Sequence, residues 1–331
     1  MFWGSRLPSS PFDPPSLLYT FLSSPLKFML HHTHEVLLSL RGSSYNNAPP
    51  PSIRLVCISD THTFKPHTTS SATWTKDVAL PPGDVLIHAG DLSNDGSFSA
   101  IQDQISWLSS LPYEHKLVIA GNHDSYFDPR SRHPKDRHKS MQWGSVHYLH
   151  HSTLTLHFPQ RSRSLNFYGA PQIPMCGGPD FAFQYQRGED AWSGTIPLGT
   201  DILITHTPPR YHLDLPNALG CEWLLKEIWK IRPRVHVFGH VHAGHGKQRV
   251  WWDGAQKAYE RLRGRRQIWF LVDFMDIRNW VDGLQLCTQG ISGVLWSRIW
   301  GGEEASSVLV NAALLYNNSG HLGNPPTVVD I

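Results

Sequence analysis

Five short apolar runs in this chain each end on residues that ligate metals or move protons: Asp60-Thr61-His62, Gly90-Asp91, Gly121-Asn122-His123-Asp124, Thr205-His206 and Gly239-His240-Val241-His242. Carboxylates, imidazoles and one carboxamide, with no cysteine among them, suit borderline or hard divalent ions such as Mn, Fe, Zn, Ni or Mg. A thiolate-rich structural zinc site is excluded by the same donor set. Two such ions about 3.5 to 4 Å apart can clamp a phosphoryl group and lower the pKa of a bridging water, giving hydroxide near neutral pH. Metal-assisted phosphoester hydrolysis is the chemistry this set predicts. A lone His-x-His or Gly-Asp is ordinarily a turn or a solvated surface pair, and it is the convergence of five clusters that points to a site.

Convergence requires rigid elements. The runs Leu55–Ile58, Asp84–His88, Lys116–Ala120, Asp201–Thr205 and Val235–Phe238 are short, β-branched and apolar at nearly every position, the pattern of strands covered on both faces. Loops at the ends of such strands carry function because the scaffold holds them. The glycines before Asp91, Asn122 and His240 are expected to let the backbone turn where a side chain would clash. Helix-like segments alternate with the runs. In Ser99–Leu108 the residues Ile101, Ile105 and Leu108 form one apolar stripe, and Cys221–Trp229 is a second such segment.

Asp-x-His, Gly-Asp, Gly-Asn-His-Asp, a lone His and Gly-His-x-His, in that order, resemble the calcineurin-like metallophosphoesterase superfamily. The flanking text, including Cys57-Ile-Ser-Asp-Thr-His62, Gly83–Asp91, Val118–Asp124, Thr200–Pro209 and Val235–His240, is similar to the metallophosphoesterase domain-containing subfamily. The likeness covers residues 53 to about 247 and resumes near 307. It implies an α/β, four-layer metallo-dependent phosphatase-like fold, two mixed β-sheets packed together and flanked by helices. It also implies two divalent metals, manganese favoured. Asp60, His62 and His242 would hold the first, Asn122, His206 and His240 the second, and Asp91 would bridge them. His123 corresponds to the family's non-ligand histidine over the phosphate, where it can stabilise charge and protonate the leaving oxygen. Asp124 is counted with it as catalytic, and Asp124 or Asp95 is expected to orient it. Leu92-Ser-Asn-Asp-Gly96 follows the Gly-Asp motif where protein Ser/Thr phosphatases carry Tyr-Val-Asp-Arg-Gly, which counts against a phosphoprotein substrate.

The resemblance implies small phosphodiesters, cyclic nucleotides among them, as substrates. Lys plus Arg number 29 against 27 Asp plus Glu, so the global positive field on which nucleic-acid binding relies is missing and no nucleic-acid partner is expected. Tyr168–Gly178 and Phe181–Tyr185, rich in Gly, Pro and aromatic residues, suit either a lid that stacks on a nucleobase or ordinary loop packing. A metal-bearing interaction scaffold and a membrane-surface phosphoesterase are the alternative functions.

Four segments are expected: an N-terminal extension and linker over 1–52, the metallophosphoesterase domain over 53–250, a helical insertion over 251–304, and closing strands over 305–331. The stretch from Leu17 to Leu40 is too interrupted by Pro25, His31, His32, His34 and Glu35 to span a bilayer, and a secretory signal is not expected. Asn46–Pro51 has the composition of a linker. Within the insertion, a basic run Arg261–Arg266 precedes Phe270, Phe274, Ile277, Val281 and Leu284, which step by four, three, four and three as one apolar helical seam. A helix laid on the body of the protein or a dimer seam is the ordinary expectation for it, and attachment of 261–300 to an anionic membrane surface is the alternative. Cys57, Cys176, Cys221 and Cys287 lack a paired spacing, which predicts no disulfide and a reducing, cytoplasmic setting. His88 and His236 sit inside core strands and are candidates to orient ligands.

Overall fold

The computed structural model describes residues 15–42, 52–68, 78–216, 218–265, 270–302, 305–317 and 319–331. The linker expected at 46–51 and Arg266 of the basic run lie outside them. The chain divides into two units, one of 45–214, 219–248 and 308–331, the other of 1–44, 215–218 and 249–307.

The first unit is built on two mixed sheets. Strands β1 (Arg54–Ile58), β2 (Val85–Ala89), β3 (His115–Ile119), β4 (Val146–Tyr148), β5 (Ser152–Phe158), β6 (Arg163–Ala170), β7 (Ile202–Thr205), β8 (Val235–Phe238), β9 (Gly246–Trp251), β10 (Ser306–Asn311) and β11 (Thr327–Asp330) follow in chain order. One sheet runs β11-β1-β2-β3-β4 and the other β9-β10-β8-β7-β6-β5. The pairs β1–β2, β2–β3 and β3–β4 are parallel, as are β6–β7, β7–β8 and β8–β10. β11 on β1 and β5 on β6 are antiparallel. Parallel strands need both faces covered, and the alternation along β1 does this: Leu55 and Cys57 join a core with Val85, Ile87, Phe167, Ile204 and Val237, residues of both sheets. Val56 and Ile58 face the opposite way, into a second core with Ile101, Ile105 and Leu108. Those three are buried positions of helix α3 (Phe98–Ser110), whose N-cap Ser97 accepts from the Ala100 N–H. α3 therefore forms the layer outside the first sheet, as its stripe predicts.

Every predicted ligand lies just past the carboxyl end of a parallel strand, which is where open α/β sheets place their ligand sites. β1, β2 and β3 deliver Asp60, His62, Asp91, Asn122 and His123 from one sheet; β7 and β8 deliver His206, His240 and His242 from the other. Helix α4 (Glu222–Ile231) connects β7 to its parallel neighbour β8 and buries Leu224, Leu225 and Ile228.

The second unit is helical. It contains α1 (Leu17–Ser23), α2 (Pro25–Arg41), α5 (Gly254–Gly264), α6 (Phe270–Met275) and α7 (Ile277–Arg298). Pro25 opens α2 at its first turn, where no N–H is needed. The N-terminal extension and the insertion thus form one unit, with Leu26 and Leu30 packed among Ala258, Tyr259, Leu262 and Leu286. The seam expected to run from Phe270 to Leu284 is broken at Asp276, which caps α7 by accepting from the Arg278 N–H.

Candidate metal centre

The turns that carry the ligands are strained at the ligands themselves. Asp60, His62, Asp91 and His240 have φ of 53°, 46°, 57° and 65°, a left-handed region that costs non-glycine residues energy and clusters at functional sites. The neighbouring glycines supply room: a Cβ on Gly121 would stand 2.2 Å from Asp91 Oδ1, and one on Gly239 would stand 2.1 Å from Asp60 Oδ2. The sequence places the sharp turn on the glycines, and at 121 and 239 the structure assigns them close approach instead.

Three groups of donor atoms gather here, each within 4.8 Å of one another: Asp60 with His62 and His242, His62 with Asp91 and His123, and Asp91 with His206 and His240. Asp91 Oδ2 lies 3.6 Å from His62 Nε2 and 3.3 Å from His206 Nε2. Asn122 Oδ1 lies 3.0 Å from the same His206 nitrogen. All seven residues expected to ligate are therefore brought together.

The donor set asks for cations. His206 Nδ1 donates to the Ala89 carbonyl at 2.8 Å, so in its neutral tautomer Nε2 is a bare lone pair converging with the oxygens of Asn122 and Asp91. His242 repeats the arrangement: Nδ1 donates to the Asn317 carbonyl at 2.9 Å and Nε2 stands 3.2 Å from Asp60 Oδ1. Both ring nitrogens of His62 are buried without a hydrogen-bond partner. Burial works against charge on the two carboxylates, yet the imidazoles outweigh it, His242 for Asp60 and His206 for Asp91, and hold both below the ordinary range. Burial likewise works against a charged His206, and Asp91 outweighs it, lifting that imidazole to about 9. Burial keeps His240 neutral, pushed down to about 3, the form in which imidazole ligates. Divalent ions fit this constellation on its own chemistry.

His123 is oriented by neither of the carboxylates expected to do so. Its Nδ1 lies 3.1 Å from the Asn94 carbonyl, and its backbone N–H donates to Asp91 Oδ1 at 2.8 Å. Its ring is 4.7 Å from that of His62 and 4.7 Å from that of Phe181. Asp124, expected beside it in catalysis, is fully buried and accepts from the backbone N–H groups of Gly121, Leu92 and Ser93 at 2.9, 3.1 and 3.0 Å. It ties the turn carrying Asp91 to the turn carrying Asn122. Burial, with Asp91 nearby, raises its carboxyl to about 6. Below the ligands, His88 Nδ1 accepts from the Gly90 N–H at 3.3 Å and its Nε2 lies 2.9 Å from Thr61 Oγ1. His236 reaches Thr205 Oγ1 at 2.8 Å. Asn94 and Asn317 act through backbone carbonyls, so no side-chain motif marks them.

Five strand ends from two packed sheets thus bring together a donor set suited to divalent metals. A calcineurin-like phosphoesterase family model matches residues 53–244, and the chain belongs to that family. It is 37% identical over 224 residues to metallophosphoesterase domain-containing protein 1 of Homo sapiens, covering 60% of this chain and 63% of that protein. It is 34% identical over 215 residues to UPF0046 protein K07C11.7 of Caenorhabditis elegans, covering 60% and 68%. A third relative, named probable rhamnogalacturonate lyase C of Emericella nidulans, is 36% identical over 299 residues, 88% of this chain but 25% of that protein. The chain thus spans a quarter of the length of one relative and just under two thirds of the human one.

Proposed function

We propose that this protein hydrolyses small phosphodiesters, cyclic nucleotides among them, at a dinuclear centre for which manganese is the favoured ion. The observation that carries the proposal is the position of Asp91, whose Oδ2 stands between His62 and His206 while Asp60, His242 and His240 complete a donor group on either side. Two divalent ions, when bound, supply Lewis acidity at the phosphoryl oxygens and an activated water. The chain's own residues do the rest. Asp60, His62 and His242 would hold one ion, Asn122, His206 and His240 the other, and Asp91 would serve both, its charge offsetting the repulsion of two close cations. His123, with Nδ1 anchored on the Asn94 carbonyl, keeps Nε2 available to protonate the leaving oxygen. Asp124 is a positioning residue.

Support for an organic diester comes from the surroundings. Of the aromatic residues expected as a lid, Phe183 is buried in the second core, and Tyr185 accepts from Trp192 Nε1 and donates to Cys221. Phe181 alone lies against His123, where a ring can stack on an aryl or base leaving group. A cleft of about 990 Å³ is lined by Phe64 and Lys65, two and three residues past His62 in sequence, with Tyr316 and His321.

The test compares an aryl phosphodiester, cyclic nucleotides and an aryl phosphomonoester by kcat/KM on the manganese-loaded protein. The proposal expects diesters to lead. Monoesters leading by tenfold or more would contradict it.

A further inference from the structure

Helix α7 is inverted. Its buried face carries Asn279, Asp282, Gly283, Leu286, Gly290 and Gly293, mostly polar or small residues. Asp282 receives the guanidinium groups of Arg261 and Arg265, and Asn279 is bonded to Arg265 and Asp273. The glycines admit α2: added Cβ atoms at Gly283 and Gly290 would stand 3.0 and 2.7 Å from Leu30 and Leu37. The apolar seam is therefore turned outward. Ile277, Val281, Leu284, Ile291 and Leu295 are between 37% and 70% exposed, along a helix of about 33 Å at 1.5 Å per residue. α1 has no buried residue and no charged one, and its Leu17 and Leu18 are more than half exposed. Contiguous exposed apolar surface of this kind marks an interaction site.

We propose that this helical unit docks on an anionic lipid surface through the outer face of α7 and through α1. Three observations select lipid over a second protein chain. Trp280 near one end of the stripe and Trp296 and Trp300 at the other are all exposed, as suits an aromatic residue at a membrane–water boundary. Among residues 277–300 the sole carboxylate is Asp282, which is buried and paired. The residues flanking the seam, such as Gln285 and Ser292, offer none of the opposed charges that set register between coiled-coil helices. Charge leans the same way: over the whole helical unit, residues 1–44, 215–218 and 249–307, eleven Lys or Arg stand against nine Asp or Glu, so this unit holds the chain's entire surplus of two. The remainder is neutral, and the attraction to anionic headgroups resides in the unit that carries the exposed apolar face. No helix among the described residues is long and apolar enough to cross a membrane, which leaves attachment in the plane of the interface.

The experiment sediments the full-length protein with vesicles of phosphatidylcholine alone or with phosphatidylserine, beside the double variant Leu284→Gln/Ile291→Gln. Both side chains are exposed, so circular dichroism and metal content should not change. The expected result is co-sedimentation with phosphatidylserine vesicles, weakened by salt, and at least about tenfold weaker in the variant. Quenching of wild-type tryptophan fluorescence by brominated lipid gives an answer independent of the variant. A protein that stays in the supernatant unquenched overturns the proposal. So does a dimer, seen by sedimentation equilibrium and lost in the variant, without vesicle binding, which would assign the face to a second copy.

Discussion

Both carboxylate oxygens of Asp60 lie 3.1 Å from the backbone nitrogen of His240, so the first ligand-bearing turn is fastened to the last across 180 residues of chain. The bond closes only because Gly239 presents no side chain to it. Gly239→Ala would push a methyl group to 2.1 Å from Asp60 Oδ2 and displace the carboxylate. Metal affinity should fall roughly 10- to 100-fold, the usual cost of disturbing groups that orient ligands. Isothermal titration of the stripped protein with manganese reads this directly. Wild-type affinity in the variant would mean the turns are not coupled.

His123 is held at Nδ1 by a backbone carbonyl and touches the ring of a ligand. In His123→Asn, metal content should stay at the wild-type value while kcat falls about 10²- to 10⁴-fold, the range for a general acid. Loss of bound metal in that variant would make His123 a ligand instead, a role its place in the His62–Asp91 group also permits.

How much of this was legible in the sequence differs by element. Strand ends were, because runs such as Val85–Ala89 must be buried on both faces and their polar termini then face one edge. Helix α3 was, since Ile101, Ile105 and Leu108 repeat at helical period and meet a core. The orientation of α7 was not. Periodicity locates a stripe but not what lies opposite it, and here the buried side is chosen by Arg261 and Arg265 claiming Asp282 and by glycines admitting α2. Pairing 15–41 with 254–298 is likewise a long-range choice that no local pattern records. The direction of Asp124 was not legible for a related reason: it is beside His123 in sequence, yet its side chain turns into the body to gather three backbone donors.

Asp124→Asn tests that placement. An amide cannot accept from the N–H groups of Gly121, Leu92 and Ser93 as a carboxylate does, so stability should drop by about 1–3 kcal/mol and manganese affinity should weaken. Thermal melting and metal titration check it. A variant that binds metal normally and only loses kcat would restore Asp124 to the catalytic group.

A pH prediction rests on His236, fully buried on β8. Burial pushes its pKa down from 6.5 to about 3, so the folded protein holds it neutral while the unfolded chain protonates it near 6.5. Its contribution to stability is complete above pH 6.5 and is lost as pH falls towards 3, at about 1.4 kcal/mol per unit. Denaturant unfolding of metal-free protein at pH 7 and pH 5 should show a smaller pH-dependent loss in His236→Gln than in wild type, by about 2 kcal/mol. Equal losses in the two proteins would move the acid sensitivity elsewhere.

The central claim is that Asp91 joins two metals in a working hydrolytic site. Metal-stripped protein would be resupplied with manganese, its bound metal counted and its turnover of an aryl phosphodiester measured, beside Asp91→Ala. Two ions per chain with turnover, both lost in the variant, is the expected result. Two ions bound without turnover of any phosphoester would contradict the account and leave a metal-bearing interaction scaffold in its place.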